Sequence, residues 1–418
     1  MFNYPFDIVM VPLQVILFLF TMYLFIIGFF GMWRPSEKKI TTPQKKFAVI
    51  VAAHNESAVV GQLIENLFEL KYPKELYDIY VIADNCTDNT AEVAENAGAT
   101  VCERIDDSKK SKGFALEWMF EKIFDMEKSG KIYDAVAIFD ADNLVHPNFL
   151  MEMNNRLCKG DKIIQGFLDA KNPYDTWISG TFAIAFWLID HVSHLAKTNI
   201  GLSAVLGGTG MCITIDVLKK YGWRATCLTE DMEFTMKSLA EGIKTTWAHD
   251  AIVYDEKPLT FMQSWVQRKR WAQGQFDVAH RFIPKMLVEG WRRKDIRIWD
   301  GCIYLLQPHF LMLSTFFLAM GYLQMAIGDF YTNIYSVMPS QIMTAIMIGQ
   351  YLLPMIILIK VRAKLKSWFY LLLYPLFFYS WLPIIFLGFI HRNEHEWAHT
   401  QHTRAMSYDV MKKKEGRG

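Results

Sequence analysis

The sequence predicts an α/β domain set into an α-helical membrane protein. Three observations predict it. Short β-rich runs alternate with helical ones from about Lys46 to Glu256, the pattern of a sheet whose strands are joined by crossover helices. An apolar run from Ile8 to Trp33 without a charged residue precedes that region and is long enough to cross a bilayer. Three further apolar stretches, roughly Gly301 to Ile327, Gln341 to Ile359 and Trp368 to Ile390, follow it, each close to the ~20 residues a span needs.

Composition agrees. With 418 residues, 52% apolar and 15% aromatic, the chain suits a medium domain plus several spans better than one large soluble core. The net charge of +1 implies no bulk attraction for polyions, so nucleic acid is not the expected partner. The six cysteines (Cys86, Cys102, Cys158, Cys212, Cys227, Cys302) fall singly, which suits a reducing compartment and reads as packing.

Residues 1–33 read as an N-terminal transmembrane helix rather than a signal peptide, because no Lys or Arg precedes the apolar run and the run exceeds a usual signal core. Arg34, Lys38, Lys39, Lys45 and Lys46 follow at once, so the positive-inside rule places residues 34–258 in the cytoplasm. Within them Phe47 to Ala53, Ile79 to Ala83 and Ala135 to Phe139 read as strands, and Ala58 to Leu70, Thr90 to Ala97 and Phe114 to Phe124 as helices. Trp177 to Leu195 imitates a span but holds Asp190, His191 and His194, and reads as a helix in or against the membrane interface. Residues 259–297 read as a pair of amphipathic interfacial helices over Phe261 to Leu287, and residues 298–391 as the C-terminal transmembrane region.

The loop Gly328 to Ser340 has no Lys or Arg and belongs outside, while Lys360, Arg362, Lys364 and Lys366 put the next loop inside. Three spans would then leave the polar tail, 392–418, outside despite Lys412, Lys413, Lys414 and Arg417. Pro375 and Pro383 divide the last apolar stretch, and a re-entrant pair there would return the tail to the cytoplasm.

Polar clusters stand where strands end, the place ligands collect in such sheets. They are His54-Asn55-Glu56, Asp84-Asn85 and Asp140-Ala141-Asp142. Two carboxylates at i and i+2 after a strand suit Mg²⁺ or Mn²⁺ held jointly with substrate phosphates, although an acidic loop is the commoner meaning of the pattern. Thr229-Glu230-Asp231 opens a helical pattern. Thr229 reads as an N-cap, and Asp231 as either a dipole partner or a general base. Gly207-Gly208-Thr209-Gly210 is neither a P-loop nor a dinucleotide fingerprint, and fits a tight turn or close approach to a bulky acceptor. His391, His395, His399 and His402 recur on one helix face without a supporting ligand set, and His309 reads as a packing or pore-lining residue. Gln267-Arg268-Lys269-Arg270-Trp271 offers an amide, a planar cation for a diphosphate and a ring on which a sugar can stack; a snorkelling interfacial helix would carry the same residues.

In order and spacing, His54-Asn55-Glu56, Asp84, Asp140-Ala141-Asp142, Thr229-Glu230-Asp231 and Gln267-x-x-Arg270-Trp271 resemble the processive family-2 glycosyltransferases, the group of bacterial cellulose, mixed-linkage β-glucan, poly-N-acetylglucosamine and hyaluronan synthases. The resemblance spans about Lys46 to Gln275. It implies a Rossmann-like, nucleotide-sugar-binding GT-A domain facing the cytoplasm of a multi-pass plasma-membrane protein. By that resemblance His54, Glu56, Asp84, Lys112, Asp140, Gln267 and Arg270 bind the UDP-sugar, Asp142 and Asp140 the metal, and Trp271, Gly208 and Thr209 the acceptor, with Asp231 as base beside Glu230. Ala52 stands where the group usually has Pro, and Leu206-Gly207-Gly208-Thr209 replaces its aromatic-x-Cys-Gly-Thr pattern. The implied activity is inverting polymerisation of sugar from UDP-glucose, with extrusion of the polysaccharide and accessory export subunits as partners. UDP-N-acetylglucosamine is the alternative donor, a single transfer to a membrane lipid the alternative reaction, and a non-catalytic membrane assembly subunit the alternative outside enzymology. Control by a cyclic dinucleotide is not expected, since no added regulatory domain follows the apolar stretches.

Overall fold

A computed structural model describes residues 4–36, 38–224, 227–337, 340–394 and 404–415. Helix α1 (Asp7–Phe29) leads into β1 (Phe47–Ala53), α2 (Val60–Phe68), β2 (Tyr77–Asp84), α3 (Thr90–Asn96), β3 (Thr100–Arg104), α4 (Lys112–Lys128), β4 (Ala135–Asp140) and β5 (Leu144–Val145). Then come α5 (Phe149–Cys158), β6 (Ile163–Ala170), α6 (Trp177–Ile189), a π-helical turn (Asp190–Leu195), α7 (Ala196–Asn199), β7 (Met211–Thr214), α8 (Ile215–Tyr221), α9 (Glu230–Ala240) and β8 (Thr245–Asp255).

Among the described residues, eight strands form one sheet in the order β3-β2-β1-β4-β7-β6-β8-β5. Strands β3, β2, β1 and β4 run parallel, with Val49 opposite Ile79 on one side and Ala137 on the other. Strand β7 is antiparallel to both β4 and β6. Helices cover both faces, which is why Phe47 to Val51 is apolar without alternation and fully buried. One face packs Val49 and Phe139 with Leu63 and Phe149, the other Ile50 and Ile138 with Leu116 and Met119. Since β1, β2 and β4 point the same way, the polar groups that follow them arrive at one edge.

The expected helix pair after β8 is instead a single helix, α10 (Phe261–Arg293), opened by a capping box between Thr260 and Gln263. Its two faces explain the continuity. Ala272 and Phe276 pack on Ile384 and Ile385, while Val278 and Ala279 pack on Met236 and Leu239 of α9. A helix is present at Trp177 but changes register, as α6 passes into the π-helical turn at Asp190.

Helices α11 (Ile296–Ile327), α12 (Ile334–Val337), α13 (Ser340–Lys360), α14 (Leu365–Tyr379), α15 (Trp381–Ile390) and α16 (Tyr408–Glu415) complete the chain. Among the described residues, four helical stretches are long and apolar enough to cross a membrane: Asp7–Phe29, Ile296–Ile327, Ser340–Lys360 and Leu365–Ile390. The start of α1 meets the loop after α11, where the Thr332 N–H donates to Asp7 Oδ1 at 2.6 Å and Gln14 Nε2 to Thr332 O at 2.9 Å. The last stretch breaks at Ser380, between Pro375 and Pro383, and both its ends face the α/β domain and α10. Lys366 Nζ donates to Tyr174 O at 2.6 Å, and Gln273 Nε2 to His391 O at 2.9 Å. Met411 of α16 then packs on Leu144 and Tyr254, so the tail returns to the domain. His391 Nδ1 donates to Leu387 O at 2.8 Å, and His309 packs its ring on Phe276 at 4.8 Å; His395, His399 and His402 lie outside the described residues.

Candidate active site

The strand ends open into a cavity of about 1330 Å³ that continues between α6, α10, α11, α14 and α15. After β1, His54 Nδ1 donates to Asp84 O at 2.7 Å, which ties the first two strand ends together. Asn55 takes a left-handed φ of 56° and its Oδ1 accepts the Thr87 N–H at 2.7 Å, while the Glu56 N–H donates to Thr90 Oγ1 at 2.9 Å. Asp84 pairs with Arg104 of β3 at 2.6 Å. Burial raises the Asp84 carboxyl above its ordinary pKa, and Arg104 opposes that rise. Sequence reasoning missed Arg104, which lies on a short edge strand without a motif of its own.

Lys112 begins α4, forms an ion pair with Asp140 and donates to Gly208 O at 2.7 Å. Burial works against its charge, but Asp140, Glu230 and Asp231 around it leave the ammonium pKa raised. It thus bridges the strand-end carboxylate and the glycine turn. Thr209 is buried and turned toward the same loop, its Oγ1 accepting the Asp140 N–H at 3.1 Å and bonding Asn143. Asp142 is buried; its Oδ2 accepts the Glu256 N–H at 3.0 Å and its carbonyl accepts Lys171 Nζ at 2.8 Å. Asp255, absent from the sequence-based set, joins it at the cavity wall and pairs with Lys257 at 2.7 Å. Burial raises the Asp255 carboxyl, with Lys257 opposing.

Glu230 and Asp231 open α9, but the Thr229 hydroxyl does not cap it, contrary to the N-cap expectation. Asp231 Oδ1 instead accepts the Met232 N–H at 2.7 Å. Burial raises the Asp231 carboxyl and the adjacent Glu230 raises it further; burial also raises Glu230, against the pull of Lys112. Helix α10 reaches this point because residue 274 is glycine. A Cβ there would stand 2.4 Å from Thr229 Oγ1. Gln267, Arg270 and Trp271 line the cavity, Trp271 with its ring 5.9 Å from that of Phe182 and 6.1 Å from that of Phe186.

Arg268, in the same motif, points elsewhere. It is fully buried, donating through Nη1 to Ser380 Oγ at 2.7 Å and Phe377 O at 3.3 Å, with its guanidinium 4.4 Å from the centre of the Phe377 ring. A snorkelling helix would turn this cation toward solvent; Arg268 instead clamps α10 to the α14–α15 break. The far end of the cavity, among the apolar helices, is lined by Tyr304, Gln307 and Leu311 of α11 and by Phe377, Trp381 and Ile385.

A sheet of this order, with helices on both faces and acidic groups gathered beyond its strand ends, is the GT-A glycosyltransferase fold. A family model described as "Glycosyltransferase like family 2" matches residues 43–274, and the chain belongs to that family. It is 25% identical over 288 residues to a probable glycosyltransferase, YdaM, of Bacillus subtilis, covering 67% of this chain and 65% of that one. It is also 26% identical over 292 residues to a β-monoglucosyldiacylglycerol synthase of Nostoc sp., covering 68% of this chain and 59% of the relative. The fold matches the mannosyltransferase PcManGT from Pyrobaculum calidifontis, solved with GDP-Man and Mn²⁺, with a TM-score of 0.60 and 14% identity over 92% of this chain and 97% of that one.

Proposed function

We propose that this chain transfers a hexosyl group from a UDP-sugar, with inversion, to an acceptor hydroxyl presented from the membrane side. One observation carries the proposal: a single cavity joins the acidic sheet edge to an apolar, aromatic mouth among α11, α14 and α15, with Asp231 and Arg270 lining it as well. His54, Glu56 and Asp84 would hold the nucleoside, and Gln267 and Arg270 the diphosphate. Charge builds on the leaving diphosphate, and a fixed guanidinium in a site shielded from water stabilises it. Asp231 takes the acceptor proton while the hydroxyl attacks the face opposite the leaving group. One displacement needs one base. Its carboxyl, raised by burial, suits proton acceptance near neutral pH.

Among the described residues no three His, Cys, Asp or Glu side chains form a metal cage. The donor set still fits Mg²⁺ or Mn²⁺, which bind through one or two carboxylates plus substrate phosphates, and Asp142 and Asp140 both reach the cavity. Such an ion would supply charge neutralisation on the diphosphate. Related proteins named as glycolipid synthases, and the apolar mouth, support a lipid acceptor and a single transfer. On α11 the lining runs from Tyr304 to Leu311, about 10 Å of helix. Processive extension of a β-glucan is the second reading, supported by Trp271, whose ring offers a stacking platform at the cavity wall. The basic residues after α1 and α13 support a cytoplasmic catalytic domain in the cell membrane.

The test is incorporation of label from UDP-glucose and UDP-N-acetylglucosamine by membranes containing the protein, with Mg²⁺ or Mn²⁺ and dioleoylglycerol. A chloroform-soluble monohexosyl product supports the first reading. An alcohol-insoluble polymer supports the second, and absence of both products with either donor contradicts the transferase assignment to UDP-sugars.

A further inference from the structure

The π-helical turn Asp190–Leu195 contributes to the cavity two polar side chains that the transfer chemistry above does not use. Asp190 is 1% and His194 8% exposed, and both line the cavity. Among the described residues, Asp190 Oδ2 and His194 Nδ1 are buried without a hydrogen-bond partner. Buried polar atoms are nearly always paired, so two orphans on one turn, aimed into one cavity, point to a ligand that pairs them. π-helical turns themselves are rare and recur at functional sites.

The turn is built to hold this position. A Cβ on Gly31, just past α1, would lie 1.9 Å from His191 O, so only glycine lets that segment press against it. Trp187 Nε1 donates to Asp169 Oδ1 at 2.7 Å immediately before the turn, and the His194 ring stacks on Trp247 at 4.8 Å. The Leu168 backbone lies near enough to Asp190 to favour its carboxylate, and Leu168 is packed against Gly207, which places the turn beside the glycine loop that abuts Asp231. Burial lowers His194 to about 3 and raises the Asp190 carboxyl well above its ordinary value. Both groups are therefore suited to neutral hydroxyls rather than to phosphate.

We propose that Asp190 and His194 form an acceptor subsite that binds the hydroxyls of an uncharged polyol. The inference rests on reading the cavity as an acceptor site. Two sources share this chemistry, the head group of a lipid and the end of a glycan chain. The experiment is direct binding to the full-length protein in phosphatidylcholine nanodiscs, with 1-oleoylglycerol in one arm and cellotetraose in the other, beside UDP and UDP-glucose titrations. One probe binds the wild type; Asp190→Leu and His194→Phe weaken it about tenfold, the loss expected for one hydrogen bond. Asp190→Asn and His194→Gln, which keep hydrogen-bonding capacity, restore binding to within about threefold. Affinities for UDP and UDP-glucose stay unchanged in all four variants, which shows that they fold and separates this claim from the donor assignment. Failure of the wild type to bind either probe, equal binding by the Leu and Phe variants, or selective loss of UDP-glucose affinity would overturn the subsite.

Discussion

At the sheet edge, acidic side chains of the cavity have cations set against them, Arg104 at Asp84 and Lys112 at Asp140, whereas at the far end, among the apolar helices, Leu311, Phe377, Trp381 and Ile385 dominate the lining beside Tyr304 and Gln307, and the buried Arg268 faces away. The first end is organised by charge and the second by shape. Fixed ion pairs orient carboxylates before a ligand arrives, which suits a charged nucleotide; an apolar mouth imposes little orientation and suits an acceptor that is partly hydrocarbon. The difference also separates, two positions apart on α10, Arg270 in the cavity lining from Arg268 behind it.

The largest expected effect tests the base between the two ends. Asp231→Asn lowers kcat by at least about a hundredfold while UDP affinity is unchanged, read by steady-state transfer and calorimetry. Next comes the contrast on α10. Arg270→Ala lowers kcat by about a hundredfold with little change in Tm. Arg268→Ala instead destabilises the fold by about 3 kcal/mol, read as a lowered melting temperature, because it leaves a cavity and removes the donor to Phe377 O and Ser380 Oγ. If Arg268→Ala melts like the wild type, the clamp between α10 and the α14–α15 break is wrong.

A smaller effect concerns the charged end. Arg104→Met removes the cation beside a buried carboxylate, and UDP affinity falls about tenfold as Asp84 loses its orientation. The smallest is a shift in pH. A base works when deprotonated, so activity falls as pH drops through the raised Asp231 pKa, above the ordinary carboxylate range. Glu230→Gln removes a neighbouring negative charge, lowers that pKa and moves the acidic limb to lower pH. A limb that moves upward would contradict the coupling.

Legibility followed the same division. His54, Asp84 and Asp140 could be read because each follows an apolar strand, a local pattern that needs no knowledge of the partner. Strand β6 could not: Gln165, Gly166 and Asp169 interrupt it, yet it is buried throughout, since Gln165 Oε1 accepts the Gly207 N–H at 2.8 Å and its Nε2 donates to Thr209 O at 2.9 Å. Those partners are some 40 residues away in the chain. Arg268 falls inside the stretch read as amphipathic interfacial helix; its burial depends on a helix break 112 positions later. Asp255 lacked a motif and entered the cavity only through the pairing of β8 with β6.

Passage of the acceptor to Asp231 through the apolar mouth is tested most directly by photolabelling. A diacylglycerol bearing a diazirine near its head group, irradiated with the protein in nanodiscs and mapped by mass spectrometry, should mark residues 304–311 and 374–385, with labelling enhanced by UDP and Mn²⁺. Adducts confined to the exposed face of α11 from Leu318 to Ile327 would contradict it.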